Sequence, residues 1–147
     1  MLTRPLPAPL GDLALFAGRL LLGVVLFAHG WQKLFDYGFA GTTASFAKMG
    51  VPLPPVSAAY STVVELVGGA LLILGAATTL AAVLAILDMC GAALLVHVSN
   101  GIFVTSGGWE LVGVIAAAAL ALAAAGAGRF SVDHALNNRR QPTRSAA

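Results

Sequence analysis

Among the ionisable side chains within, or at the rims of, long apolar runs, six are candidates for a common site: Arg19, His29, Lys33, Glu65, His97 and Glu110. A charge at membrane depth is expensive and normally faces protein or trapped water, so each marks either a satisfied structural contact or a working site. Two cations, two carboxyls and two imidazoles suit hydrogen bonding of a small polar head and the exchange of protons with it. His29 and Lys33 lie one helical turn apart, and Arg19 falls within about 80° of both on the same face. Gly23 and Gly30 share that face. Glu65 sits in the middle of a second run with Ser61, Thr62, Gly68 and Gly69 beside it. A lone carboxyl there would take up a proton, so an ionised Glu65 needs Lys33 or His29 from one side or Arg19 from the other.

Blander readings stand beside the functional one. Lys33 and Arg19 could snorkel to the headgroups, and Glu65 could serve packing alone. Asp88 and His97 are nine residues apart, which places them on opposite faces of a regular helix. His97 is therefore assigned to the site near His29, Lys33 and Glu110, and Asp88 to an Arg19 pair or a subunit contact. His29, His97 and Glu110 lack metal-ligand spacing, so no metal is expected. His134 reads as a surface residue, and Cys90 as a small apolar one.

The elements that must position these groups follow from composition. Of 147 residues, 59% are apolar and 10% charged, against about 25% charged in a soluble domain. Such a chain cannot cover a globular surface with polar groups, and a net charge of +2 is too small for a nucleic-acid binder. One cysteine excludes an intramolecular disulfide and a CxxC redox pair. A membrane crossing needs roughly 20 apolar residues. The runs that qualify are residues 13–35, 56–75, 78–99 and 109–128. No ionisable residue interrupts Leu66 to Leu87, yet Pro55 to Ser99 as one helix would be about 68 Å long, far too long for one crossing, and Gly75-Ala76-Ala77-Thr78-Thr79 is where the chain must turn. The expected fold is all-α, a membrane four-helix bundle. Residues 1–12 form an N-terminal segment, 13–136 the transmembrane domain and 137–147 a disordered basic tail. Arg4, Arg129, Arg139, Arg140 and Arg144 flank the bundle on one side, against Lys48 on the other, which predicts cytoplasmic N and C termini. The first run is longer than a signal-peptide core and carries three basic side chains, so it is read as a retained span. Residues 41–48 suit either a short surface helix or a flexible loop. Trp31 and Trp109 suit an interfacial belt.

Five segments in order resemble the DoxX family. They are Arg19-Leu20-Leu21-Leu22-Gly23 with His29-Gly30-Trp31-Gln32-Lys33-Leu34-Phe35, the run Glu65 to Gly75, the helix end at His97, Gly107-Gly108-Trp109-Glu110, and Gly126 to Asp133. The resemblance spans about Leu13 to Asp133, and no family motif requires an acid at position 88. It implies a multi-pass protein of the bacterial plasma membrane, linked to thiosulfate:quinone oxidoreduction and to thiol and oxidative stress. It supports the same six residues as the polar set. The expectation is a redox membrane subunit with no built-in cofactor, binding a quinone and receiving electrons from a partner protein. Whether the chain is itself an enzyme stays open. A non-catalytic scaffold for peripheral redox enzymes and a small transporter are the alternatives, and the partners expected are the lipid bilayer, a redox protein and, as a homo-oligomer, further copies of the chain.

Overall fold

The computed structural model describes residues 6–139; Arg4, Arg140 and Arg144 of the topology argument lie outside them. Every regular element among the described residues is helical. Helix α1 (Ala8–Trp31) runs on through a π-helical turn, Gln32–Asp36, to give 29 continuous residues. It begins five residues before the expected start because Pro9 is tolerated in a first turn, where its missing N–H has no partner to lose. Helix α2 (Gly38–Lys48) settles the helix-or-loop alternative for residues 41–48 as a helix.

The second crossing is α3 (Pro54–Val63), a π-turn (Val64–Gly68) and α4 (Gly69–Leu74), 21 residues in all. The third is α5 (Thr78–Ala92), a π-turn (Ala93–His97) and a 3-10 turn (Val98–Asn100), 23 residues. These three are long and apolar enough to span a bilayer. The fourth, α6 (Glu110–Ala125), has 16 residues and is shorter than the expected 109–128, because Gly126 leaves helical space at φ 80°, ψ −170°. At 1.5 Å per residue it is about 24 Å long. Helix α7 (Val132–Arg139) carries regular structure three residues into the segment expected to be disordered, and the rest of that segment lies outside the described residues.

The turn expected at residues 75–79 is present between α4 and α5. Gly75 (φ 69°) and Ala77 (φ 47°) are left-handed there, a conformation that costs an alanine about 1–2 kcal/mol. Asp133 offsets that cost by reaching back from α7. Its Oδ1 accepts the Ala77 N–H at 2.8 Å and its Oδ2 the Thr78 N–H at 2.9 Å, while its own N–H donates to the Gly75 carbonyl. Burial disfavours the charged form of Asp133, but the two backbone donors and the nearby Arg19 charge hold its carboxyl below its ordinary value.

Helix α1 packs against the α3–α4 rod with backbones in contact. A Cβ on Gly23 would lie 2.8 Å from the Ile73 nitrogen, one on Gly69 would strike Phe27, and one on Gly30 would fall on the Leu66 backbone. Helices α5 and α6 form the other pair, and the core between them centres on Leu26, Leu72, Ala85 and Ala119.

Two outcomes follow. Gly30→Ala should lower stability in detergent micelles by about 1–3 kcal/mol or more through overpacking, whereas Gly91→Ala, with open space at its Cβ, should not destabilise. Asp133→Ala should cost about 1 kcal/mol at neutral pH as a lost cap. Because the folded-state pKa of Asp133 is depressed, its contribution is present above the unfolded value of about 3.9 and is lost as pH falls through the folded one. The variant should therefore show a shallower acid-side loss of stability in pH-dependent thermal unfolding.

Candidate functional site

The site grows from the wide turn at the end of α1. A π-turn inserts one residue into a helix and leaves a backbone group without its regular partner. In the Gln32–Asp36 turn, Thr42 of α2 satisfies such a group, its hydroxyl donating to the Lys33 carbonyl at 2.8 Å. Lys33 is thereby anchored, and its ammonium forms an ion pair with Glu65 Oε2. Glu65 itself lies in the Val64–Gly68 π-turn, opposite the point where Gly30 meets Leu66. That contact brings the two helices close enough for the pair to form.

Asp88 on α5 completes the cluster. It is 8% exposed, Glu65 is 4% exposed, and the hydroxyl of Ser61, one turn before Glu65, donates to Asp88 Oδ2 at 3.3 Å. Asp88 faces the repulsion of Glu65 and the attraction of Lys33. Both expected roles for Asp88 are overturned: it neither pairs with Arg19 nor sits on an outer surface. The physical reason is the Ala93–His97 π-turn, which intervenes between Asp88 and the end of the crossing at His97. One inserted residue turns the helix phase by about 100°, which brings a separation of about 180° down to about 80°. Both residues then line the same cavity.

This cavity has a volume of about 570 Å³. His29, Lys33, Glu65, Asp88, Ser61 and His97 supply its polar wall, and Leu26, Met89 and Ile115 form part of its apolar lining. Phe46 of α2, with Met49 and Val51 just after it, roofs it at the end beyond the membrane spans. His97 Nδ1 lies 2.6 Å from the Gly107 carbonyl. A carbonyl only accepts, so Nδ1 carries the proton and a neutral His97 keeps its Nε2 lone pair. His29 also borders a shallow groove outside the bundle, formed by Phe27, Trp31, Gln32 and Asp36. Among the described residues, no group of three or more His, Cys, Asp or Glu side chains is placed to hold a metal ion.

Four of the six predicted residues thus meet at one cavity: His29, Lys33, Glu65 and His97. Arg19 and Glu110 do not. Arg19 is 2% exposed at the other end of the bundle, where its guanidinium donates to the carbonyls of Leu72 (2.6 Å), Ile73 (3.2 Å) and Phe130 (2.6 Å). Leu72 and Ile73 lie in the last turn of α4, where carbonyls lack regular i+4 partners; that of Leu72 accepts the Gly75 N–H as well, and a cation there also meets the negative end of the helix dipole. Arg19 is a clasp joining α1, α4 and the segment before α7. Glu110 accepts the Val104 N–H at 2.6 Å and fixes the loop ahead of α6. Asp88, Ser61 and Tyr60 were missed. Mid-span depth and apolar surroundings singled out Asp88 as they did Glu65, but its phase pointed it elsewhere.

A sequence model described as DoxX matches residues 14–98, a segment holding every titratable group of the cavity. An uncharacterized membrane protein of Mycobacterium tuberculosis is 32% identical over 131 residues, covering 82% of this chain and 80% of its own. CatD of Bacillus subtilis, whose name assigns it provisionally to the oxidoreductases, is 36% identical over 78 residues, 53% of this chain and 55% of its own. No solved structure matches.

Removing one member of a buried pair strands the other, at a cost of about 3–5 kcal/mol. Lys33→Met and Glu65→Leu should each destabilise the protein by that order, and the double variant should recover most of the loss. Strictly additive losses in a double-mutant cycle of reversible unfolding in mixed micelles would show that the two groups do not interact.

Proposed function

The chain belongs to the DoxX family, and on that footing we propose that it is a membrane subunit of a redox system, binding a lipid-soluble quinone in the cavity between α1, α3 and α5. The observation that carries this reading is the polar cluster of Lys33, Glu65, Asp88 and Ser61 at the inner end of a cavity whose remaining walls are largely apolar. Its volume lies within the range of small-molecule sites, about 300–1,000 Å³.

The chain's own groups suit a carbonyl-bearing head. Lys33 Nζ is a donor that can share its protons between Glu65 and a ligand oxygen. Glu65 and Asp88 face one ammonium between them, so the cluster can hold or release a proton as the charge of its occupant changes. His97, which also lines the cavity, offers its Nε2 as a further acceptor. A bound quinone would supply the two-electron, two-proton chemistry, with electrons delivered by a partner protein. In this reading the four apolar helices form a bundle in the bacterial plasma membrane with both termini cytoplasmic. The cavity then lies in the outer half of the bilayer, and the Arg19 clasp near the cytoplasmic face.

The oxidoreductase name of CatD supports the redox class. The alternative is a scaffold in which the polar groups only order the helices, and one observation favours it. The buried Arg19 charge donates only to backbone carbonyls, at the far end of the bundle from the cavity, as an ordering contact would.

The two readings separate on one measurement. The purified protein should bind a short-chain quinone in micelles, and Asp88→Asn and Lys33→Met should weaken binding at least about tenfold, the loss of one strong hydrogen bond. A parent protein that binds no quinone, or variants that bind it as tightly as the parent, would favour the scaffold.

A further inference from the structure

The cavity has one wall that does not close. Between α3 and the outer half of the third crossing its lining residues are also surface residues: Val56 is 63% exposed, Leu87 58% and Leu95 52%. The slot they border ends where the Tyr60 hydroxyl donates to the Leu84 carbonyl at 3.2 Å, tying α3 to α5. Gly91 lines the cavity on the same stretch, with open space where a Cβ would point. Counting from Pro54 at 1.5 Å per residue, Tyr60 lies about 9 Å and Glu65 about 16 Å into a crossing whose hydrocarbon is about 30 Å thick. The slot is therefore at acyl-chain depth, while the water-facing end is roofed by Phe46, Met49 and Val51.

We infer that the slot between α3 and α5 is a lateral portal through which the ligand enters from the bilayer, head first, and past which its apolar tail remains in the lipid. Three observations define the occupant. The volume of about 570 Å³ holds a ring-sized head and a short length of chain, not a two-tailed lipid. The charged wall offers two carboxyls against one ammonium, which repels a phosphate headgroup and accepts a neutral one bearing oxygen. The slot itself is bordered by Val56, Tyr60, Leu87, Gly91 and Leu95, which suits an apolar tail. The ligand class is a neutral, oxygen-headed lipophile with a single flexible tail. This assignment of class rests on the redox-carrier reading above; the portal itself does not.

A nitroxide at position 91 tests the route. In a Cys90→Ser background, Gly91→Cys would be spin-labelled in the full-length protein and reconstituted in phosphatidylcholine vesicles. Dissolved oxygen, which concentrates in the hydrocarbon, should relax the label strongly, and a water-soluble nickel chelate should not. The reverse pattern would overturn the portal in favour of entry from water. Gly91→Leu, placed in the slot, should weaken binding of a tailed quinone at least about tenfold while changing that of the tailless head group little. Equal effects on the two would also overturn the portal. A label open to lipid, in a protein that binds neither quinone, would uphold the portal and overturn the redox-carrier reading instead.

Discussion

Backbone contact between α1 and the α3–α4 rod is the constraint on which the rest depends. In lipid, apolar side chains gain little by leaving their solvent, so helices associate through close packing and interhelical polar contacts. Gly23, Gly30 and Gly69 remove the Cβ atoms that would keep the two backbones apart. That approach puts Lys33 within reach of Glu65 and Arg19 within reach of the last carbonyls of α4. A wider crossing would leave three charged groups stranded in hydrocarbon.

Those polar contacts fall into two layers with different degrees of completion. At one end Arg19 is enclosed by three carbonyls, Asp133 caps the adjoining turn, and the Phe16 ring lies 5.6 Å from the guanidinium. Among the described residues Arg19 Nε and the Thr78 hydroxyl stay without a partner there, and Arg19 borders neither the cavity nor the groove described above. At the other end two carboxyls share one ammonium and one serine hydroxyl, beside an open volume. The excess of acceptors over donors is what makes that layer suited to an incoming molecule or a proton.

The π-turns connect the two subjects of packing and chemistry. Lys33, Glu65 and His97 each lie in one. Each turn gives up regular i to i−4 bonding, and at Lys33 the freed carbonyl is taken up by Thr42 from the roofing helix. The roof is thus tied to the irregularity that aims the lysine.

Composition and hydropathy established that the chain is helical and belongs in a membrane, because too few polar residues exist to cover a soluble surface. They also located the α4–α5 turn, since no single crossing could contain the apolar run that includes it. Burial cost identified Arg19, Lys33 and Glu65 as groups needing partners, and all three have them. What the sequence could not decide was which partner each would take. A uniform 100° per residue holds only for a regular α-helix, and a single inserted residue in a π-turn breaks that rule without changing any hydropathy pattern. Asp88 moved into the cavity for that reason, while Arg19 left it because the chain after α6 folds back and places Phe130 at its side. Residue type and depth are properties of the chain; phase and long-range return are decided only when the helices have packed.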